Sequence, residues 1–140
     1  MECSICVMQA ENAGSELYHD DHWVGMVSGD KPGWIMLAAR RHADWTWSLD
    51  AAEAASLGPA VSRLSAAIRK ATATEKVYLV GLGENSIHCH FLLMPRIEAM
   101  SNEIRAAIRK WGAEIGNAEE SQQIGDALRA ELDSEARQPK

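Results

Sequence analysis

No apolar run in this chain of 140 residues approaches the roughly 20 needed to cross a bilayer, so no membrane-spanning segment is expected. The sequence opens on Met1-Glu2-Cys3 without a basic and apolar leader, so no secretory signal is expected either. There are only three cysteines, an odd number, which speaks against a disulfide scaffold and fits the reducing cytoplasm. No basic excess exists. The net charge is −6, spread along the chain, which argues against nucleic acid as a bulk partner because no basic patch would release counterions. No internal repeat or low-complexity linker appears. The glycines at 81 and 83 do not build the G-x-G-x-x-G pattern of a dinucleotide site.

What is present fits one soluble globular domain, with 46% hydrophobic and 24% charged residues. Residues 16–19 and 22–27 read as two short strands around an Asp20-Asp21 turn, and 34–39 as a nearly all-apolar strand after the Pro32-Gly33 turn. A helix begins near Asp50, whose spacing to Glu53 is that of a capping box. Leu57, Val61, Leu64 and Ile68 recur at helical spacing, and Gly58-Pro59 should kink or split that helix. Residues 77–82 and 87–94 supply a fourth and a fifth strand.

Beyond Arg96, Ile97, Met100, Ile104, Ile108, Trp111 and Ile115 step by three or four, an amphipathic helix with Ser101 as a candidate cap. Residues 118–134 can form a last helix, and the final residues look frayed. The expected class is α+β: a meandering antiparallel sheet of about five strands, one main helix on it, and C-terminal helices. Residues 1–96 form the main domain. Residues 97–140 are an extension expected to pack on that domain or on a dimer mate and to bury Trp111.

The chemistry concentrates in Ser86–Arg96. On a strand, His88, His90 and Leu92 share one face, with Ile87, Cys89, Phe91 and Leu93 on the other. That sets two of the five histidines about 6–7 Å apart, Cα to Cα, on one rigid element. The apolar face belongs in a core, and Cys89 reads as a small core residue. Cys3-Ser4-Ile5-Cys6 is a C-x-x-C pair able to grip a metal from a tight turn. A redox motif would need a preceding strand, for which there is no room.

His42 and His88 can complete a tetrahedron of two cysteines and two histidines, whose zinc would be structural because every position is filled by protein. His90 has three readings: a second metal ligand, a free nucleophile beside the metal, or a core histidine satisfied by a carbonyl. His19 and His22 flank an exposed turn and read as surface residues. The five tryptophans read as packing residues, although Trp45 or Trp47 could wall a pocket.

Taken in order, the C-x-x-C pair, Arg40-Arg41-His42 and His88-x-His90-x-x-x-x-Pro95-Arg96 resemble the histidine triad family over about residues 3–96. The resemblance implies a homodimeric α+β fold. It also implies a nucleotide substrate, such as a dinucleoside polyphosphate, attacked at the α-phosphate by His90. Zinc would be held by Cys3, Cys6, His42 and His88, with Glu84, Asn85, Ser28 and Arg96 toward the substrate.

Three departures stand out. Leu92 occupies the place of the third histidine, where an isobutyl group can neither donate nor accept a proton. Losing a general acid costs on the order of 10²–10⁴ in rate. Glu84 replaces a glutamine, with Asn85 after it in place of a serine or threonine. Ser28 replaces an acidic ribose contact, for which Asp30 could substitute. Three functions therefore compete: a nucleotide hydrolase or nucleotidyl transferase working through His90, a weak or inactive nucleotide-binding module, and a zinc-stabilised dimer serving as an interaction protein.

Overall fold

The computed structural model describes residues 2–136, and the chain divides into two compact units between Ile97 and Glu98. The first unit runs α1 (Ser4–Glu11), β1 (Tyr18–His19), β2 (Trp23–Val27), β3 (Ile35–Ala39), a 3-10 turn (Thr46–Ser48), α2 (Ala51–Thr72), β4 (Val77–Val80) and β5 (His90–Pro95). The five strands form one antiparallel sheet in the order β1-β2-β3-β5-β4. The α2 crossover carries the chain past the place of β5 to the edge, so the meander is interrupted once.

Local chemistry explains the elements. Asp20 closes the β1–β2 turn: its Oδ1 accepts from the amides of His22 (2.8 Å) and Trp23 (2.7 Å), and its Oδ2 from the Tyr18 hydroxyl (2.7 Å). Burial opposes the charged form of this carboxyl, but those three donors outweigh it and hold the group below its ordinary range. The Asp50–Glu53 capping box is present, with both reciprocal bonds at 2.8 Å. Pro59 lies inside α2, which runs unbroken from Ala51 to Thr72, so the helix is not split there.

The alternation of side chains across the sheet sets the core. Trp23, Ile35, Leu37, Ala39, Phe91 and Leu93 share one face and meet Ala60, Leu64 and Ile68 of α2. On the other face Val24, Ala38 and His90 lie in one row, and Met26, Met36, Leu92 and Val80 in the next.

Four expectations are corrected. An unforeseen helix, α1, begins immediately after Cys3; only Ile5 of its eight residues is buried, so no apolar stripe announced it. The fifth strand starts at His90, not 87, and Ile87 is exposed rather than in the core. The fourth ends at Val80, leaving Leu82 in the open. Ser101 is not a cap: α3 starts at Glu98, and the Ser101 hydroxyl donates to the Glu98 carbonyl at 3.1 Å.

The second unit contains α3 (Glu98–Ile115) and α4 (Ala118–Ala136). Asn117 opens α4, its Oδ1 accepting from the Glu120 amide at 3.0 Å. Ile108, Trp111 and Ile115 of α3 and Ile124, Leu128 and Leu132 of α4 are all exposed. Trp111, expected to be buried, is 61% accessible within this single chain. The fraying expected at the extreme end falls on residues outside those described. Among the described residues, no helix is long and apolar enough to cross a membrane.

Candidate metal centre and the neighbouring histidine

Cys3, Cys6, His42 and His88 converge from three separate elements. Cys3 is the N-cap of α1 and Cys6 lies in its first turn, His42 follows β3, and His88 precedes β5. One ligand atom from each lies within 4.8 Å of every other. The Cys3 and Cys6 sulfurs each stand 3.4 Å from His88 Nδ1, and Cys6 Sγ is 3.5 Å from His42 Nδ1. Zinc bonds of about 2.3 Å to sulfur and 2.0–2.1 Å to nitrogen, at the tetrahedral angle, give an S···N edge of about 3.5 Å. The donor set therefore fits zinc in kind, number and spacing.

The rings are aimed as well. His88 is fully buried, and its Nε2 lies 2.8 Å from the Ala39 carbonyl. A carbonyl only accepts, so the proton sits on Nε2 and the Nδ1 lone pair faces the sulfurs. His42 meets the His88 ring edge-on, with centroids 5.1 Å apart, and its Nε2 is 3.7 Å from Asp44 Oδ1. Burial pushes the Cys3 thiol up, yet the Cys6 and Ile5 amides, His88 and the Cys6 thiol outweigh it and bring Cys3 to about 6. Burial and the adjacent Cys3 push Cys6 up. Cys89, fully buried in the core, is pushed up to about 11 by burial and by Glu53, which leaves it an inert packing residue.

Arg41 is a participant the sequence reading missed. Its Nε and Nη2 hold both oxygens of the buried Glu53 carboxylate at 2.8 and 2.7 Å, and Nη2 also donates to the Ser48 carbonyl at 2.8 Å. The clasp ties the residue before His42 to the first turn of α2. Glu53 was legible only as half of a capping box; its second role needs the fold.

His90 is half-buried at the start of β5. Its Nδ1 lies 2.6 Å from the His88 carbonyl, so Nδ1 carries the proton and Nε2 keeps a free lone pair. Leu92, two residues on, lies in the apolar row with Met26, Met36 and Val80. No proton donor stands at that position.

A cavity of about 630 Å³ opens beside the cysteine–histidine cluster, lined among others by Cys3, His42, Glu84 and Asn85. It holds the carboxylates of Glu2, Asp44 and Glu84, and His90 does not line it. Glu84 and Asn85 thus gather with two of the candidate metal ligands, on a loop pinned by Trp45. A Cβ at Gly83, whose φ is +66°, would come within 2.7 Å of that indole. Trp47 stands outside, 80% exposed.

The remaining two candidates are not brought to His90. Ser28 follows β2, about 13 Å farther along the strand direction than the row that holds His90. Arg96 follows β5, about 20 Å from His90 along the strand, so it is out of reach of a phosphate there.

Comparison of the fold with solved structures decides what it is. A member of the HIT family from Bacillus subtilis matches with a TM-score of 0.69 at 17% identity, covering 100% of this chain and 99% of that one. The fold is that of the histidine triad proteins. A zinc-bound histidine triad family protein from Mycobacterium smegmatis matches at 0.59 and 17%, covering 70% of this chain and 77% of that one. A hypothetical histidine triad nucleotide-binding protein from Sulfolobus tokodaii matches at 0.58 and 20%, covering 69% and 70%. No family model and no curated protein matches the sequence. Sequence identity this low establishes a histidine triad fold and no more, so the chemistry must be argued from this chain's own residues.

Proposed function

We propose that this chain binds a nucleotide and catalyses hydrolysis or nucleotidyl transfer at its α-phosphate, with His90 as nucleophile. One observation carries the reading: the Nδ1–H of His90 is committed to the His88 carbonyl at 2.6 Å, which leaves the Nε2 lone pair for attack. In the first step the Nε2 lone pair forms an N–P bond while the bond to the leaving oxygen breaks, that oxygen departing with the electron pair. Water or phosphate then displaces the imidazole. With Leu92 in place of an acid, the leaving group must depart unprotonated, so a phosphate-type leaving group, as in a dinucleoside polyphosphate, suits the site better than a poor one.

Cys3, Cys6, His42 and His88 would hold a structural zinc, which fixes α1 and the start of β5 without taking part in the reaction. The exposed apolar stripes of α3 and α4 support a homodimer, and the three free cysteines support a reducing, cytoplasmic setting. Trp111→Glu should then shift the sedimenting species toward monomer; an unchanged sedimentation coefficient removes this support for the dimer.

A second reading, a nucleotide-binding module with little turnover, is favoured by Leu92 in its apolar row and by the Glu84 carboxylate, which repels an anion. Incubation with dinucleoside polyphosphates followed by intact-mass measurement separates the two. The enzyme reading expects one nucleotidyl adduct, absent in His90→Ala. Binding with neither adduct nor product would leave the module.

A further inference from the structure

The register that pairs Ala38 with His90 makes Ala39 and Cys89 the next partners, and an antiparallel pair so placed exchanges two backbone bonds. One is present, from the Ala39 amide to the Cys89 carbonyl at 3.0 Å. The other is not: the Cys89 amide turns instead to the Ala43 carbonyl, at 2.6 Å. This diversion releases the Ala39 carbonyl from the ladder, and two side chains occupy it. His88 donates from Nε2 at 2.8 Å, and Gln9 donates from Nε2, also at 2.8 Å.

Gln9 belongs to α1, the helix that carries both cysteines, and stands three residues after Cys6, on the same helical face. We propose that Gln9 is a positioning residue for the metal centre, locking the C-x-x-C helix to the very carbonyl that aims His88. The inference rests on reading the four-ligand cluster as a metal site. It assigns each ligand-bearing element its own anchor at one corner of the sheet. Gln9 fixes α1, the Cys89–Ala43 bond fixes the segment after His42, and the Ala39 carbonyl fixes the His88 ring. The need is physical, because α1 has eight residues and one buried side chain, too little to hold two thiols in register by packing alone.

The test compares the full chain with Gln9→Met, which keeps the length and removes the donor. Zinc affinity is measured by chelator competition and the site's geometry by the thiolate charge-transfer absorption of the cobalt-loaded protein. Gln9→Met should bind zinc about 10–100-fold more weakly, the range for loss of an outer-shell partner, with a shifted cobalt spectrum. Asn12→Ala should change neither, since among the described residues the side-chain amide of Asn12, the C-cap of α1, bonds back to the Met8 carbonyl of the same helix. If Gln9→Met does not fold, Gln9→Glu, with an acceptor facing the carbonyl, serves in its place. Affinity within threefold of the parent and an unchanged spectrum would overturn the positioning role alone. A parent chain that takes up neither zinc nor cobalt would overturn the metal reading, and this inference with it.

Discussion

The corner of the sheet around His88 and the sheet face around His90 lie two residues apart and are built on opposite principles. At the corner both thiols, both His88 ring nitrogens and the Ala39 carbonyl have partners, and three elements meet through hydrogen bonds. On the face, His90 has one orienting bond, and the position two residues on is apolar. The corner has the redundancy of a structural device. The face carries His90, the nucleophile we propose, without an acid beside it, so any chemistry there would depend on the substrate more than on the protein.

The sharpest way to break this contrast is at the corner. Cys6→Ala should abolish stoichiometric zinc uptake, measured by elemental analysis, and leave α1 without its attachment to His42. Full metal content in that variant would mean that Cys6 is not a ligand. Leu92→His addresses the face: it should raise turnover of a dinucleoside polyphosphate on the order of 10²–10⁴ if only the acid is missing. A rate that does not move would mean that another group already does that work, or that no turnover exists to restore.

A smaller effect tests whether the clasp supports the corner. Arg41→Met leaves the buried Glu53 carboxylate with the Asp50 amide as its remaining partner and should lower the denaturant midpoint, by less than the loss of a fully buried pair would, because the guanidinium is half exposed and screened. The smallest expected effect is on pH. Arg41 holds the Glu53 carboxyl below its ordinary range, partly against burial, so this contribution is complete above about pH 4.3. It is lost as the pH falls through the folded value. The parent's melting temperature should therefore drop more steeply than that of Arg41→Met on acidification below about pH 4; parallel curves would show that the pair does not couple stability to pH.

Much of this was legible in residue order. The capping box at Asp50 and Glu53, the apolar spacing of Leu64 and Ile68, and the alternation of Phe91 and Leu93 each encode their element locally. The four candidate ligands were legible because cysteine and histidine at such spacings have few structural uses. What escaped depends on contacts between distant residues. The start of β5 is decided by the Ala43 carbonyl drawing off the Cys89 amide, and nothing near residue 88 encodes that. Helix α1 carries no stripe, so only its attachment to Ala39 reveals it. Ser28 and Arg96 match a pattern by sequence position, yet strand geometry sets both far from His90.

The indole of Trp45, lying over Gly81 and Gly83, gives the molecule a built-in observer. The same stretch carries Glu84 and Asn85, so any small molecule that rearranges them must alter the packing of that ring and with it the polarity around it. Quenching or a wavelength change in tryptophan emission, lost in Trp45→Phe, would then report occupancy with no label attached, whether or not a bond is ever cleaved.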